Sequence, residues 1–405
     1  MPSNYRSFRK SVPWLILFLE AVFIILFYFL FSGDGASRSD ISYADFQDVN
    51  HMVIFGFGFF LAFLKRYSFS STGFNLLIIV LGVQCSILME GLVLLQKAQE
   101  GGLKSITKAA VSMTAVVISS GAVLGKTNPI QLIVMTIVEI IVFHVSRWIN
   151  KIFLQVTDNI SMMHVHLFGA YFGLAVSSRF SEPSPRSEKN ASTPKSDLLS
   201  MLGTLFLWVF WPSFNSVLAV EDKSKAIYNT YFALAVSAVT AFALSVLTTK
   251  DGKFRMTHIR SAALAGGVII CYAAQSIEYP WIAMILGLLA SVITILGSFC
   301  SQRCLNPALK IHDASGVHLT FGLPGVLGAL AQVVLLVIKN RTDLPSLGYL
   351  VMIDIGAFCL TISVALITGF ITGLILNFKL LKTIPVSKYF EDHFYWEFPH
   401  LAVGF

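Results

Sequence analysis

Apolar runs of about twenty residues recur from one end of this chain to the other, and nothing else constrains its fold as strongly. A helix of that length crosses a hydrocarbon core about 30 Å thick. Inside lipid, only helices and closed barrels satisfy every backbone N–H and C=O group. Twelve runs of crossing length can be read, near 13–32, 50–66, 73–95, 107–125, 129–148, 160–180, 199–219, 227–248, 257–274, 280–299, 311–338 and 346–378. The chain is therefore expected to be an all-α polytopic membrane protein of about twelve transmembrane helices. Its 405 residues are 55% hydrophobic and 13% charged, with a mean hydropathy of +0.73, a balance foreign to soluble proteins of this length. The first run is too long and too aromatic for a signal peptide, so it reads as a retained span.

The net charge of +7 sits in the loops, where it sets topology rather than binding nucleic acid. Arg6, Arg9 and Lys10 precede the first run, and an even number of crossings returns the C-terminus to the same side. Both termini are thus expected in the cytoplasm: residues 1–12 as a cytoplasmic start, 13–380 as the transmembrane domain, and 381–405 as a cytoplasmic tail. That tail carries Tyr389, Phe390, Phe394, Tyr395, Trp396 and Phe398, and is expected to pack on the cytoplasmic mouth or a partner. Residues 181–197, rich in Ser, Pro and charge, read as a disordered loop between two halves. On this topology the sequon at Asn190 is cytoplasmic and unused, whereas that at Asn340 faces outside and is a glycosylation candidate. The five cysteines give neither a disulfide framework nor a metal set. No nucleophile–base pair or phosphate loop appears, so no enzyme, cofactor or metal is expected.

Two stretches stand out within the apolar background. In the sixth run, Asp158 precedes His166, and Gly169 and Gly173 follow at i+3 and i+7; in the eleventh, His318 is followed by Gly322 and Gly325. Small residues at helical spacing let another backbone approach closely in a membrane, and an imidazole beside them should face protein or a cavity rather than lipid. Counted from the second run, each histidine lies on the fifth member of a five-helix group. An odd repeat enters the membrane from opposite sides, so this reads as an inverted repeat with its site at mid-membrane. Two neutral rings there could share one N–H···N bond and line a path for a small hydrogen-bonding molecule; the alternative is two core histidines bonded to carbonyls. Asp158 reads first as a helix N-cap.

At these residues the chain resembles the ammonium transporter/methylammonium permease/Rhesus family, and within it the Rhesus (Rh) branch. The stretches that carry the resemblance are His166 to Gly173, Gly121 to Lys126, Trp211 to Ser216, Asp313 to Gly325, and the tail from Lys388 to Phe405. The resemblance implies a trimer, homomeric or with an Rh-associated glycoprotein. It also implies two inverted five-helix repeats with an extra N-terminal helix and a long C-terminal one, and a pore through each subunit. It places the pore histidines at His166 and His318, the buried acid at Asp158 and an inner gate ring at Phe214. The outer gate ring falls on Ser120, a vestibule acid falls on Arg147, and a further motif histidine is Phe321. Implied solutes are ammonia or ammonium, with carbon dioxide as an alternative. Implied surroundings are the bilayer of the erythrocyte plasma membrane and membrane-skeleton proteins. Two functions stay open: an ammonia conduit, or a structural subunit of an Rh complex.

Overall fold

Where an apolar run is unbroken it forms one helix, and among the described residues ten helices are long and apolar enough to cross a membrane. In the computed structural model, which describes residues 4–30, 41–93, 102–183, 188–219, 222–300, 311–339 and 344–398, they are as follows. The first half holds α1 (Asn4–Leu30), α4 (Ser68–Val93), α5 (Gly102–Ala122) and α6 (Pro129–Phe153). Its last crossing is α7 (Asp158–Met163) continued by α8 (Val165–Ser177). The second half holds α9 (Pro194–Ser216), α10 (Lys223–Thr248), α12 (Pro280–Cys300) and α13 (Leu323–Lys339), the last led in by a π-helical turn over His318–Gly322. The chain's final crossing is α14 (Leu344–Leu376).

Two of the twelve expected spans are not simple helices. The second is assembled from α2 (Tyr43–Asn50), a π-helix over His51–Gly56 and α3 (Phe57–Phe60). Its first part, with Asp45 and Asp48, is too polar to lie in hydrocarbon. The ninth, α11 (Met256–Ile269), is 14 residues long and runs on into turns, short of what a single crossing needs.

The halves repeat. In the first, α4 packs on α5 and α6, and α8 packs on α5; in the second, α10 packs on α11 and α12, and α13 packs on α11. The fifth member of each half seats a glycine on the backbone of the third. A Cβ at Gly173 would stand 2.6 Å from Ser119 Cα, and one at Gly328 would stand 2.9 Å from the Ile269 carbonyl carbon. Only a residue without a side chain permits such an approach. The exterior is apolar, with Leu247 and Met352 each more than 70% exposed, while Glu139, Asn229 and Thr294 are buried. In α5, Ser119 donates to Glu139; in the second half, Asn229 donates to the Ala274 and Ile277 carbonyls at 2.9 Å. An apolar outside with polar groups turned inward is the arrangement lipid selects.

The residues after α14 are part of this body. Asp392 accepts the Phe69 and Ser70 amides at 2.9 and 2.8 Å, satisfying donors that the start of α4 leaves open. Trp396 Nε1 donates to Ser70 Oγ at 3.0 Å, and its ring lies against Gly73 and Phe74. Phe390 is buried, its N–H donating to the Gly125 carbonyl at 3.0 Å. Glu391 pairs with Lys189.

The described stretch 188–197 of the loop expected to be disordered is ordered, and the residues that suggested disorder are the cause. Thr193 and Ser196 form a capping box with Pro194 at the first helical position of α9. Ahead of it, Asn190 Nδ2 donates to His312 Nε2 at 3.0 Å, and Lys65 N–H donates to the Ala191 carbonyl at 3.0 Å. Beneath this layer Lys126 is buried and donates to Ser177 Oγ and the His312 carbonyl, each at 2.7 Å. Burial pulls its amine down to about 7, against the opposing pull of the Asp313 and Glu182 carboxylates.

Candidate functional site

His166 is the second residue of α8 and is fully buried. The Trp211 ring stacks on it at 5.8 Å and 15°, Phe214 meets it edge-on at 5.8 Å, and Phe321 stacks from the other half at 6.5 Å and 13°. Pro212, inside α9, sits between the two aromatic residues that helix supplies. Phe321 is backed in turn by Phe57 and Phe60. Neither ring nitrogen of His166 makes a hydrogen bond among the described residues. The Met163 backbone lies close by without meeting hydrogen-bond geometry.

His318 is elsewhere. It starts the π-turn, its ring against Tyr171 at 6.0 Å, and no hydrogen bond joins it to His166. The two glycine faces explain the offset. A Cβ at Gly322 would lie 3.3 Å from Ala170 Cβ, and one at Gly325 3.1 Å from a Leu167 methyl. The two elements therefore run antiparallel, with His318 about a turn along α8 from His166. The spacing to the seated glycines gives the repeat equivalence. Gly173 is seven residues after His166, and Gly328 is seven after Phe321. The structure thus sets Phe321, rather than His318, opposite His166, and the shared imidazole–imidazole bond expected from the sequence is not formed.

Ser120 is also displaced from its expected place. In α5, Ala115 faces Gly169 and Ser119 faces Gly173; on that register Ser120 is level with Leu174, two turns beyond His166 toward the C-terminal tail. Its hydroxyl donates to the Val117 carbonyl at 2.8 Å, and it lines a small cavity with Ser70, Asn75 and Gly125. It is not part of the aromatic enclosure.

Asp158 and Arg147 meet at the opposite end. Thr157, not Asp158, is the N-cap of α7, and the Asp158 carboxylate is taken up by two cations. Arg147 reaches one oxygen at 2.5 Å and Lys108 the other at 2.7 Å, and Glu90 lies 3.7 Å from Lys108. From Arg147 the network continues to His144 Nδ1 at 3.4 Å, and from His144 Nε2 to Ser86 Oγ at 2.8 Å. Among the described residues Arg147 and Lys108 are thus paired with Asp158 and Glu90. Arg147 is buried, so the free guanidinium that would repel a cation at the mouth is absent. The sequence reading missed Lys108, whose signal was a lone lysine in an apolar run.

His164, two residues before His166, faces away. Its Nδ1 is 3.0 Å from Thr361 Oγ1 on α14, which ties that helix to the first half. Asn340 lies outside the described residues.

The aromatic enclosure separates two cavities. Toward Asp158, a small one is lined by Met163, Asn215, Tyr272 and Gln275, where Asn215 Oδ1 and the Tyr272 hydroxyl lack partners among the described residues. Toward the tail, one of about 210 Å³ reaches Leu319 and Thr320.

Comparison with known proteins places this arrangement. Residues 13–395 match the model of the Ammonium Transporter Family. An RH-like protein of Macaca mulatta is 43% identical over the whole of both chains, and the blood group Rh(CE) polypeptide of Homo sapiens is 42% identical, again over both. Among solved structures, Nitrosomonas europaea Rh50 superposes with a TM-score of 0.77 at 29% identity, covering 89% of this chain and 94% of that one. Saccharomyces cerevisiae Mep2 gives 0.67 at 16% identity, over 84% of this chain and 86% of that one, and so shares the fold.

Proposed function

Since the chain belongs to the ammonium transporter family, among its Rh-like members, we propose that it is a channel-like membrane protein whose solute is neutral ammonia, passing His166 through the aromatic enclosure. The observation that carries this is the unpaired ring of His166. A fully buried imidazole with both nitrogens vacant forgoes about 1–3 kcal/mol per unmet group. A site that leaves such groups open suits a transient hydrogen-bonding visitor. Ammonia fits: it donates and accepts, and it carries no charge to desolvate against Trp211, Phe214 and Phe321. An ammonium ion would have to return its proton to bulk water on the Asp158 side, where Asn215 Oδ1 and the Tyr272 hydroxyl offer it hydrogen-bond acceptors beforehand.

A second reading has its own observation. Trp211, Phe214 and Phe321 are each no more than 2% exposed, so the enclosure is shut at rest. On that reading the chain is a structural subunit of an Rh complex, assembling with an Rh-associated glycoprotein and reaching the membrane skeleton from its cytoplasmic face. Trimeric assembly, residence in the erythrocyte plasma membrane, cytoplasmic termini and a glycan at Asn340 belong to the proposal in either case.

Ammonia-driven alkalinisation of liposomes holding the purified protein decides between them. The channel reading expects a rate above that of empty liposomes, scaling with free ammonia rather than total ammonium, and altered in His166→Ala. A rate equal to empty liposomes, with Rh50 conducting in the same membranes, favours the structural subunit.

A further inference from the structure

The larger cavity, on the tail side of the enclosure, has walls that the transport reading does not use. We infer that it is a binding site for a small oxyanion. Its lining comes from the start of α11, the end of α12 and the segment leading into the π-turn, and includes Arg255, His258, Arg260, Asp313, Ser315 and Thr320.

The argument rests on polar groups that are buried and unspent. Arg260 is 4% exposed, His258 7%, Ser315 3% and Thr320 0%. Among the described residues, Arg260 Nε, His258 Nδ1, Ser315 Oγ and Thr320 Oγ1 have no hydrogen-bond partner. Buried polar groups are nearly always satisfied, so four vacancies around one cavity of about 210 Å³ mark a place for a ligand. Two other hydroxyls in the lining behave ordinarily: Thr294 donates to the Ala290 and Leu319 carbonyls, and Ser298 to the Ile295 carbonyl.

The sign of the ligand follows from the charges. Arg260 is held by Ser200 Oγ at 3.0 Å and stacks over Phe63 at 3.9 Å. Neither it nor Arg255 has a carboxylate within ion-pair distance among the described residues. Asp197 acts on Arg260 only from beyond that distance, and a buried guanidinium with no directly paired carboxylate is costly. The one acid in the lining, Asp313, spends both oxygens on the Val317 and His318 amides at 2.9 Å. Its charge is thereby held by the start of the π-turn. A guanidinium fork, two hydroxyls and an imidazole suit a group with several acceptor oxygens. That group is a free inorganic oxyanion or the phosphate of a lipid headgroup.

The test uses the intact purified protein in detergent. Inorganic phosphate is titrated at constant ionic strength, with the thermal midpoint and calorimetric heat as readouts. Saturable stabilisation is expected, weakened about tenfold or more in Arg260→Gln, as the loss of one charge-assisted hydrogen bond implies. Thr320→Val, on the opposite wall and isosteric, should weaken binding without disturbing the Arg260–Ser200 contact. Lys379→Gln, exposed at the same end, should bind as wild type. Nanodiscs with phosphatidic acid, set against phosphatidylcholine alone, separate the sources: stabilisation that depends on Arg260 only in the former makes the phosphate a lipid's. If neither phosphate nor phosphatidic acid gives saturable stabilisation, or if both variants respond like wild type, the inference is overturned. Ammonia flux enters none of these readouts, so the outcome is independent of the transport reading.

Discussion

Arg147→Glu is the substitution on which sequence and structure make opposite forecasts. Taken as a lone cation at the mouth, Arg147 would repel ammonium, and its reversal would raise flux at low total ammonium. In the structure its guanidinium lies 2.5 Å from Asp158 Oδ1 and its side chain is 6% exposed. Opposite unit charges about 4 Å apart attract by about 4 kcal/mol at an effective dielectric near 20. Reversal removes that attraction and adds a comparable repulsion from Asp158. The introduced carboxylate is also attracted by Lys108, which lies 2.7 Å from the same acid, and this offsets about half of the change. Asp158 is 30% exposed, so solvent screens part of the remainder, leaving a loss of roughly 2–4 kcal/mol. Reversible unfolding in mixed micelles, followed by circular dichroism along a dodecyl sulfate titration, measures it. Arg147→Lys keeps the charge and should cost about 1 kcal/mol, the fork alone being lost. The cycle with Asp158→Asn should return a favourable coupling above about 1 kcal/mol. Stability within about 0.5 kcal/mol of wild type, together with raised flux in Arg147→Glu, would refute the buried network and restore a free guanidinium at the mouth.

Three further outcomes are expected. Lys126 has its amine lowered to about 7 in the fold, from an ordinary value near 10.5 in the unfolded chain. The unfolded state therefore binds more protons between those values, and stability should rise with pH through that window; Lys126→Met should flatten the rise in thermal midpoint from pH 7 to 10. Truncation after Lys382 removes the Asp392 bonds to the start of α4, the Trp396 ring on Gly73 and buried Phe390. It should therefore cost the fold itself about 3–5 kcal/mol, seen as a lower midpoint and faster proteolysis, rather than sparing the core and impairing assembly alone. Gly173→Val would drive a branched side chain into the Ser119 backbone and should abolish a monodisperse species on size exclusion, whereas Gly348→Ala, with open space around it, should behave as wild type.

The number and course of the crossings were legible because an apolar run is a property of one stretch alone. The two exceptions share a cause. The second span mixes Asp45 and Asp48 into its start, and the ninth is a 14-residue helix completed by turns, so each departs from a uniform apolar window. Which side chains meet across helices was much less legible. Lys108 and Asp158 are distant in sequence, and nothing local to either announces the pair. The middle loop misled for a different reason. Ser, Thr and Pro favour both solvated coil and helix starts, and only the reciprocal bonds of Thr193 and Ser196 distinguish the two. His166 and Phe214 were expected around one lumen and their rings do meet, whereas the Trp211 and Phe321 rings on His166 and the Lys108 ammonium on Asp158 had no local signal.

The pairing of His166 with Phe321 shows why the repeat could not be read from histidines alone. Two inverted halves bring equivalent positions together near their axis, and equivalence is fixed by packing, not by residue type. The packing markers are Gly173 on Ser119 and Gly328 on Ile269, and counting back seven from each gives His166 and Phe321. His318 satisfies the eye because it is the histidine of the second half, but it belongs a turn away, beside Tyr171. The consequence is chemical. Two facing imidazoles pass a proton from one nitrogen to the next; one imidazole facing a phenyl ring has no second nitrogen to receive it. The enclosure therefore holds one imidazole and the indole N–H of Trp211, both without partners among the described residues, inside otherwise apolar walls, a geometry that penalises every ion.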